Sequence, residues 1–475
     1  MKNKFIIALS LFIAVVCTVF IFVGVISGND SLEKQTGTEE NVPAHTESYG
    51  TQQPSVSDEN SAENSSSSSS VNGGSDAQDT LGLKDSNIND DDNKSDSNNS
   101  SEPDVLGYSV AAVSQVSHLV PMEPLPVERV SFVACGDSLI HSSVYTDAQN
   151  LAAGTGKEYD FMPMFENAAD IISEADLAFI NQETPFGGDV KPISGYPLFN
   201  TPDQVGYDLM ELGFDIIGIA NNHMLDSYAS GYQRTIDFWK AQEDVLAIGG
   251  YENEEDFENI RVIEKNGIKI AFLAYTYGTN GLSLPKNSEL VIPLYDDETI
   301  DRQTKAARKI ADCVIVSVHW GTEDSFTPNA DQKRKAQIMV NNGVDVIIGH
   351  HPHVLQPMKE VERPDGGKTL IMYSLGNFLS GMMYSRNMVG GFLGFDIIKA
   401  PNGTTVENAY FIPTMCHYNS SVRGFKIYRF SEYTEELEEK HGAHKFDSSM
   451  SMSSMRRIIE NAIPEQYLIE EFYSK

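Results

Sequence analysis

The segment 344–353, with the sequence VDVIIGHHPH, decides how the rest of the chain is interpreted. It begins with an apolar, β-branched run interrupted only by Asp345, which predicts a buried strand. Three histidines, His350, His351 and His353, then crowd onto the turn after the strand, although the whole chain has only eleven. Imidazole is the commonest side-chain metal ligand, and α/β folds hold their reactive groups at the ends of strands. We therefore predict a metal-binding turn; a solvated turn that happens to contain histidines is the alternative.

Similar apolar runs on both sides of this segment alternate with amphipathic stretches. Predicted strands cover residues 130–135, 177–180, 214–220, 314–318, 344–348 and 370–373, and predicted helices cover 165–175, 203–212, 232–242, 300–311 and 331–341. A hairpin is predicted over residues 262–275, because Asn266 and Gly267 separate two apolar runs. Such alternation favours a layered α/β domain with largely parallel central strands.

Almost every predicted strand ends in a residue type that can bind a metal or move a proton. In chain order these residues are Asp137, His141, Asn181, Glu183, Asn221, Asn222, His223, Asp226, His319, Glu323, His350, His351, His353 and Asn377. Since the carboxyl ends of parallel strands lie along one edge of a sheet, we expect these side chains to converge. A mixed nitrogen and oxygen shell suits Mn, Zn or Fe better than Ca.

Each of these residues also has an ordinary structural interpretation. Asp137 could cap a helix, His319 could be a satisfied core histidine, and Asn221 and Asn222 are common turn residues. Trp320 is better explained as a packing residue than as a recognition surface. Six strand ends with matching chemistry are hard to explain by packing alone, so the combination favours a metal site of one or two divalent ions.

The two ends of the chain differ from this pattern. Lys2 and Lys4 precede the apolar run Phe5–Ile26, which is long enough to span a hydrocarbon core of about 30 Å. We predict a transmembrane anchor over residues 1–27, with a cleaved signal peptide as the alternative. The positive-inside rule then predicts a single-pass protein of the cell membrane whose C-terminal domain is extracytoplasmic.

Amino-acid composition divides the rest of the chain into a linker, a folded domain and a C-terminal extension. Residues 28–126 are rich in Ser, Asn and Asp and predict a disordered acidic linker. The folded domain is expected over residues 127–430, and residues 431–475 predict a polar, helical extension packed outside it. The formal net charge of −34 argues against nucleic acid as a partner, because phosphate contacts need a basic face. Cys135 and Cys313 fall in or beside apolar runs and are expected to be buried thiols.

Taken in order, these motifs resemble the CapA capsule-synthesis family over about residues 130–415. The matching segments are GD at 136–137, NQE at 181–183, NNHMLD at 221–226, HWGTE at 319–323, GHHPH at 349–353 and SLGNF at 374–378. That family looks like a branch of the calcineurin-like metallophosphoesterases, which implies an αββα sandwich of two sheets flanked by helices. It is associated with synthesis or export of poly-γ-glutamate capsule at the outer face of the membrane. The resemblance implies an anionic surface polymer or a phosphoester as substrate, and capsule synthase or export membrane proteins as partners.

The resemblance also implies roles for individual residues. Asp137 and His353 would hold one metal, Glu183 would bridge, and Asn222, His319 and His351 would hold a second metal. His223 would face the substrate, oriented by Asp226. The residues expected around them are His141, Asn181, Asn221, Glu323, His350 and Asn377. The sequence departs from the superfamily at Leu139, where a histidine is usual, and at Glu183, where an aspartate is usual. A metal-dependent hydrolase, a phosphoesterase of unknown substrate and a non-catalytic polymer-binding module therefore remain open.

Overall fold

A computed structural model describes residues 127–469 of the chain. Its strands are β1 (Glu128–Leu139), β2 (Leu177–Gln182), β3 (Ile216–Gly218), β4 (Leu246–Ile248), β5 (Arg261–Lys265), β6 (Ile268–Thr276), β7 (Cys313–His319), β8 (Val346–His350), β9 (Leu355–Glu362), β10 (Lys368–Leu375), β11 (Asn377–Ser380), β12 (Val389–Ala400), β13 (Gly403–His417) and β14 (Lys426–Arg429). Its helices are α1 (Ser142–Leu151), α2 (Met162–Phe165), α3 (Ala169–Ser173), α4 (Gln204–Leu212), α5 (Tyr228–Lys240), α6 (Glu254–Glu258), α7 (Asp297–Ile310), α8 (Ala330–Asn341), α9 (Glu435–Lys440) and α10 (Met452–Ala462). The predicted anchor and linker, residues 1–126, lie outside the described residues. Within residues 127–469, no helix is long and apolar enough to cross a membrane.

The strands form two mixed sheets. The first has the order β14-β13-β12-β1-β2-β3-β4, with β11 also paired to β1. Strands β1 to β4 are parallel, whereas β12, β13 and β14 are antiparallel. The second sheet has the order β5-β6-β7-β8-β10-β9, in which β6, β7, β8 and β10 are parallel and the two edge strands are antiparallel. The predicted parallel arrangement is therefore present in one half of the first sheet, from β1 to the edge at β4, and in the centre of the second sheet.

The two sheets share one hydrophobic core. Phe132 on β1 stacks on Phe272 on β6, with 6.2 Å between the ring centroids. Successive residues of a strand point to opposite faces, so Leu273 on β6 faces away from this core. It packs there with Ala307 of α7 and Met339 of α8 in a second cluster. The central strands of the second sheet are thus buried on both faces, which explains their continuous apolar sequence.

The predicted hairpin turn and the predicted helix end at Gly213 are confirmed. Asn266 and Gly267 both have positive φ, 49° and 77°, and join β5 to β6 as the predicted two-residue hairpin turn. Gly213 ends α4 with φ of 102°, in the left-handed conformation that a side chain disfavours. The buried state predicted for Cys135 and Cys313 is also observed.

Several predicted boundaries differ from the structure. The helix predicted over 165–175 is shortened to α3, with α2 ending at Phe165, and the strand predicted over 214–220 is shortened to β3. Strands β12 and β13 were not predicted. Gly390 and Gly391 near the start of β12 are the residues that punctuate loops in most sequences. Here Gly390 is needed for close approach, since a Cβ at this position would lie 2.1 Å from the Asn377 carbonyl oxygen.

The C-terminal segment was expected to lie outside the domain, and the structure corrects this. Helix α10 buries Met455 and Ile459 completely, in the same core as the two sheets. These two residues are four positions apart and so share one face of the helix. The segment therefore belongs to the core of the domain, even though most of its surface is polar.

Candidate metal centre

The carboxyl ends of strands from both sheets meet in one buried cluster. Asp137 lies near the end of β1, Glu183 follows β2 directly, and His319 is the last residue of β7. One ligand atom from each of these three residues lies within 4.8 Å of the others, and all three side chains are buried. His353 joins them from the turn after β8: its Nδ1 lies 3.1 Å from Asp137 Oδ2, and its Nε2 lies 3.7 Å from Glu183 Oε1. Residues more than two hundred positions apart are therefore brought together, as expected.

The histidine turn between β8 and β9 has an uncommon backbone. His351 has φ of 95° and His353 has φ of 56°, values that cost a non-glycine residue about 1–3 kcal/mol. Gly349 allows the approach of β8 to β10, because a Cβ there would lie 2.0 Å from the Tyr373 carbonyl oxygen. The surrounding packing thus holds the turn in a strained form that directs the His353 ring towards Asp137 and Glu183.

Glu183 is the residue of the cluster whose buried negative charge most clearly calls for a bound cation. Both of its carboxylate oxygens are buried and have no hydrogen-bond partner among the described residues. Burial, its largest influence, raises the pKa of Glu183 well above the ordinary value. An unsatisfied buried carboxylate is costly unless a positive charge or a donor compensates it. The oxygen and nitrogen donors around Glu183 match the ligands that a divalent transition metal prefers, so the residues present fit such an ion.

The neighbouring groups have protonation states consistent with this interpretation. Burial lowers the pKa of His319 well below its ordinary range and that of His351 to about 3, so both imidazoles are neutral, the form that binds metals. Burial also opposes charge on Asp137, but hydrogen bonds from His350 and His353 hold the pKa of Asp137 well below normal. For His353, burial is outweighed by the carboxylates of Glu183 and Asp137, which raise its pKa to about 10. A bound cation would compete with that proton.

Asn222 lies on the His319 side of the cluster, with its amide held in one orientation. Its Oδ1 lies 3.0 Å from His319 Nε2, which in turn lies 3.5 Å from Glu183 Oε1. Its Nδ2 donates to Asn280 Oδ1 at 3.2 Å. Because Asn280 accepts from the amide nitrogen, the Asn222 oxygen faces the centre, where it can act as a ligand.

His223 and Asp226 form a buried pair near these residues. His223 Nδ1 lies 2.7 Å from Asp226 Oδ2, and the same oxygen accepts from the Phe199 backbone nitrogen at 2.9 Å. The Phe199 ring also packs edge-on against His223, with 4.9 Å between centroids. The imidazole is thereby fixed by its Nδ1, which leaves Nε2 for a substrate. Asp226 is placed as predicted to orient His223, and the catalytic role of both stays a prediction.

The six residues expected around the ligands fall into two groups, and the first group contacts Asp137 or His353. Asn181 Nδ2 donates to Asp137 Oδ1 at 2.8 Å, and His350 Nδ1 lies 3.1 Å from that oxygen. Asn377 Oδ1 lies 3.1 Å from His353 Nδ1. These three side chains therefore contact and orient Asp137 and His353, the two residues predicted to hold the first metal.

The other three are more distant or more exposed. Asn221 accepts from the His223 backbone nitrogen at 3.0 Å, so it shapes the turn. His141 accepts a hydrogen bond from the Gly381 backbone nitrogen, and burial lowers its pKa to about 4. Among the described residues, neither group of candidate ligands includes His141, so it does not replace the histidine absent at Leu139. Glu323 is exposed but lies within reach of His351 and His353 as a second possible group. The packing role expected for Trp320 is confirmed by its burial and its stacking on Tyr373.

Sequence reasoning missed the loop after β6. The Tyr277 ring packs on His351, with 4.6 Å between centroids, and lies nearly parallel to the His319 ring at 6.3 Å. Asn280 on the same loop binds Asn222. Strand β6 is parallel to β7 and ends at the same edge, so its polar continuation at residues 277–280 was the signal that could have identified these residues.

Replacing Asn280 with alanine is expected to weaken cation binding on the His319 side by about tenfold, a typical effect of losing an outer hydrogen bond to a ligand. The Asn222 amide would lose the acceptor that fixes its orientation. Titration of Mn²⁺ into metal-free protein measures the effect. Asn280→Asp keeps an acceptor oxygen and is the matched control. Equal affinities for Asn280→Ala and wild type would contradict the proposed orienting contact.

The fold and the cluster together define an α/β protein with a candidate metal centre between the ends of two sheets. Residues 131–382, more than half of the chain, match the family model described as Bacterial capsule synthesis protein PGA_cap, and the chain belongs to this family. It is 35% identical over 198 residues to PGA biosynthesis protein CapA of Bacillus subtilis, covering 41% of this chain and 50% of the relative. It is 33% identical over 200 residues to Capsule biosynthesis protein CapA of Bacillus anthracis, covering 41% and 47%. The chain thus spans about half the length of these curated relatives.

Solved structures give only distant matches. Calcineurin-like phosphoesterase YfkN from Bacillus subtilis is 14% identical with a TM-score of 0.37, covering 71% of this chain and 98% of that one. A putative 5'-nucleotidase from Staphylococcus aureus is 13% identical with a TM-score of 0.38, covering 60% and 54%.

Proposed function

We propose that this chain is a membrane-anchored, extracytoplasmic protein of capsule synthesis or export, whose domain is a metallophosphoesterase-like hydrolase acting on an anionic surface polymer or its phosphoester precursor. The observation that supports it best is Glu183, a buried carboxylate with two unsatisfied oxygens between Asp137, His319 and His353. One or two divalent ions, with Mn, Zn or Fe as the best candidates, would satisfy these atoms.

In such a centre the bound ions lower the pKa of a water molecule and neutralise charge that develops on the substrate oxygens. The chain's own residues supply the rest of the reaction. The water would lose one proton to solvent as its oxygen forms a bond to the phosphorus or carbonyl carbon, the bond to the leaving atom would break, and His223 would donate the proton that the leaving atom takes up. Asp226 contacts His223 Nδ1 through its Oδ2 at 2.7 Å and holds the ring in place. Asn222 would help to hold a bound ion through its amide oxygen, which Asn280 keeps turned towards His319.

The setting of the reaction is part of the same proposal. The apolar run Phe5–Ile26 and the two preceding lysines support an anchor in the cell membrane with the domain outside. The names of the Bacillus relatives support a role in capsule biosynthesis, with poly-γ-glutamate as the polymer. Capsule synthase or export membrane proteins are the expected partners, and the acidic chain disfavours nucleic acid.

The test uses the full chain purified in a mild detergent. Elemental analysis after incubation with Mn²⁺, Zn²⁺ or Fe²⁺ is expected to find one or two bound ions per chain. Hydrolysis of bis(p-nitrophenyl) phosphate and of a γ-linked glutamate oligomer is then measured before and after chelation. We expect chelation to abolish hydrolysis of at least one substrate and metal addition to restore it. A chain that takes up none of the three ions would refute the metal centre.

A polymer-binding module without turnover is the second candidate. It is favoured by one observation: His141 does not enter the ligand group, so no histidine from the first motif completes the shell. The two candidates differ in a single outcome of the experiment above. Retention of the γ-linked oligomer by metal-loaded protein, with no cleavage of either substrate, would support the module and exclude the hydrolase. Cleavage of the phosphodiester alone would instead support a phosphoesterase that acts on another substrate.

A further inference from the structure

A loop over residues 188–200, here called the Lys191 loop, forms one wall beside His223. Lys191 Nζ donates to the Leu198 carbonyl oxygen at 2.7 Å and to the Asp226 carbonyl oxygen at 3.2 Å. Asp226 is the residue whose side chain holds His223. The ammonium group of Lys191 is therefore anchored to the backbone of the residue that positions the proposed proton donor.

Lys191 differs from most cations of the domain in its partners. Among the ion pairs of residues 127–469, none involves Lys191, whereas Arg386, on another loop near His353, pairs with Asp324 at 2.9 Å. An ammonium group has three N–H donors, and two of those of Lys191 go to neutral carbonyls. Partial burial lowers the pKa of Lys191, which indicates a partly dehydrated position. One N–H donor is thus left for a ligand, while the Asp226 carboxylate acts on the ammonium charge without a direct ion pair among the described residues.

The Lys191 loop is held rigidly. A Cβ on Gly195 would lie 2.6 Å from the Ser142 backbone nitrogen, so the loop packs closely on the start of α1. Ser194 and Asn200 form a bridge with two backbone hydrogen bonds across the loop. Phe199 is buried against His223, and Tyr196 is exposed near the tip. A fixed loop presents Lys191 in one place, which a mobile surface lysine could not do.

We propose that Lys191 is an anion subsite beside His223, which takes a carboxylate or phosphate oxygen of the substrate next to the bond that is cleaved. This inference rests on the proposed function and specifies its substrate class. The chain has a net charge of −34 and repels an anionic ligand at long range. A lysine that forms no direct ion pair among the described residues offsets part of this repulsion at the proposed subsite. The same contact would give specificity for substrates with an anionic group next to the leaving group.

The test compares three variants of the full chain in the presence of Mn²⁺. Binding of a fluorescein-labelled γ-linked glutamate decamer is followed by anisotropy, and the KM and kcat for bis(p-nitrophenyl) phosphate are measured in parallel. Lys191→Met is expected to weaken decamer binding or raise KM by about tenfold, the usual effect of losing a hydrogen bond to a charged group. It is also expected to reduce the salt dependence of binding. Lys191→Arg keeps the charge and is expected to restore most of the loss.

Lys309→Met is the matched control. Lys309 is exposed near the end of α7, which leads into the start of β7, so it lies at the opposite end of that strand from His319. It is expected to bind both probes like the wild type. A thermal unfolding curve for each variant separates a binding defect from a folding defect.

The outcomes distinguish this inference from the proposed function. An effect on the decamer alone identifies a polymer carboxylate as the ligand, and an effect on the phosphodiester alone identifies a phosphate. If wild type binds or cleaves a probe and Lys191→Met behaves identically, the subsite is refuted while the hydrolase stands. If Lys191→Arg is as defective as Lys191→Met, charge is not the property that matters, and the subsite is again refuted. If wild type interacts with neither probe, both proposals fail.

Discussion

Replacing Glu183 with glutamine is expected to lower the affinity of the centre for Mn²⁺ by at least about a hundredfold, more than the loss of an outer contact causes. Glutamine has the shape of glutamate but lacks the charge, and the carbonyl oxygen that remains is a much weaker ligand. Glu183 is the carboxylate that faces both His319 Nε2 and His353 Nε2, at 3.5 and 3.7 Å. Competition with a chromophoric chelator measures the affinity.

A second readout separates metal loss from misfolding. In metal-free protein, Glu183→Gln is expected to unfold at the wild-type temperature or above it, because an amide replaces a buried carboxylate whose oxygens accept no hydrogen bond among the described residues. In saturating Mn²⁺ the order reverses, since only wild type gains the stabilisation that a tightly bound ligand provides. Glu360→Gln, on the exposed part of β9, is the matched control and should follow wild type in both conditions. Retained affinity in Glu183→Gln would show that the ligand set is wrong.

Replacing His223 with alanine is expected to reduce turnover of an aryl phosphodiester by about 10²- to 10⁴-fold, the usual contribution of a general acid. Metal content should be unchanged, because His223 binds Asp226 through Nδ1 and is not part of the Asp137, Glu183 and His319 cluster. The measurements are kcat at saturating Mn²⁺ and elemental analysis of the same sample. Asp226→Asn should give a smaller loss, since it weakens the orientation of the ring but leaves the ring in place.

Comparing substrates with different leaving groups tests whether His223 donates a proton. A proton donor matters most when the leaving oxygen is basic, so the defect of His223→Ala should increase from p-nitrophenyl to phenyl esters. His444→Ala changes an exposed histidine of the C-terminal segment and is the matched control. A defect that is equal for both esters would show that His223 positions the substrate and does not transfer a proton.

The sequence predicted much of the local structure. Apolar β-branched runs identified β1, β2, β7, β8 and β10, because strands buried on both faces need such residues at every position. Asn266 and Gly267 identified the hairpin, because few other residues accept positive φ at both turn positions. The same local pattern placed the polar residues at strand ends, and parallel strands bring their ends to one edge. This reasoning accounts for the meeting of Asp137 with Glu183 in the first sheet and of His319 with His353 in the second, and the packing of the two sheets brings the two pairs together.

Other features were decided only by tertiary structure. The strained backbone of His351 and His353 depends on packing around the turn, and the Asn280 contact that orients Asn222 joins loops 58 residues apart. The antiparallel strand β12 contains glycines, Gly390 and Gly391, that local rules assign to loops, and close contacts with neighbouring strands explain their presence. The order of strands in a sheet depends on which distant segments bury each other's apolar faces. The spacing of apolar residues along one segment predicts that the segment is a strand, but it does not say which strands lie beside it. The contacts between loops around the candidate metal centre can therefore be identified only in the folded chain.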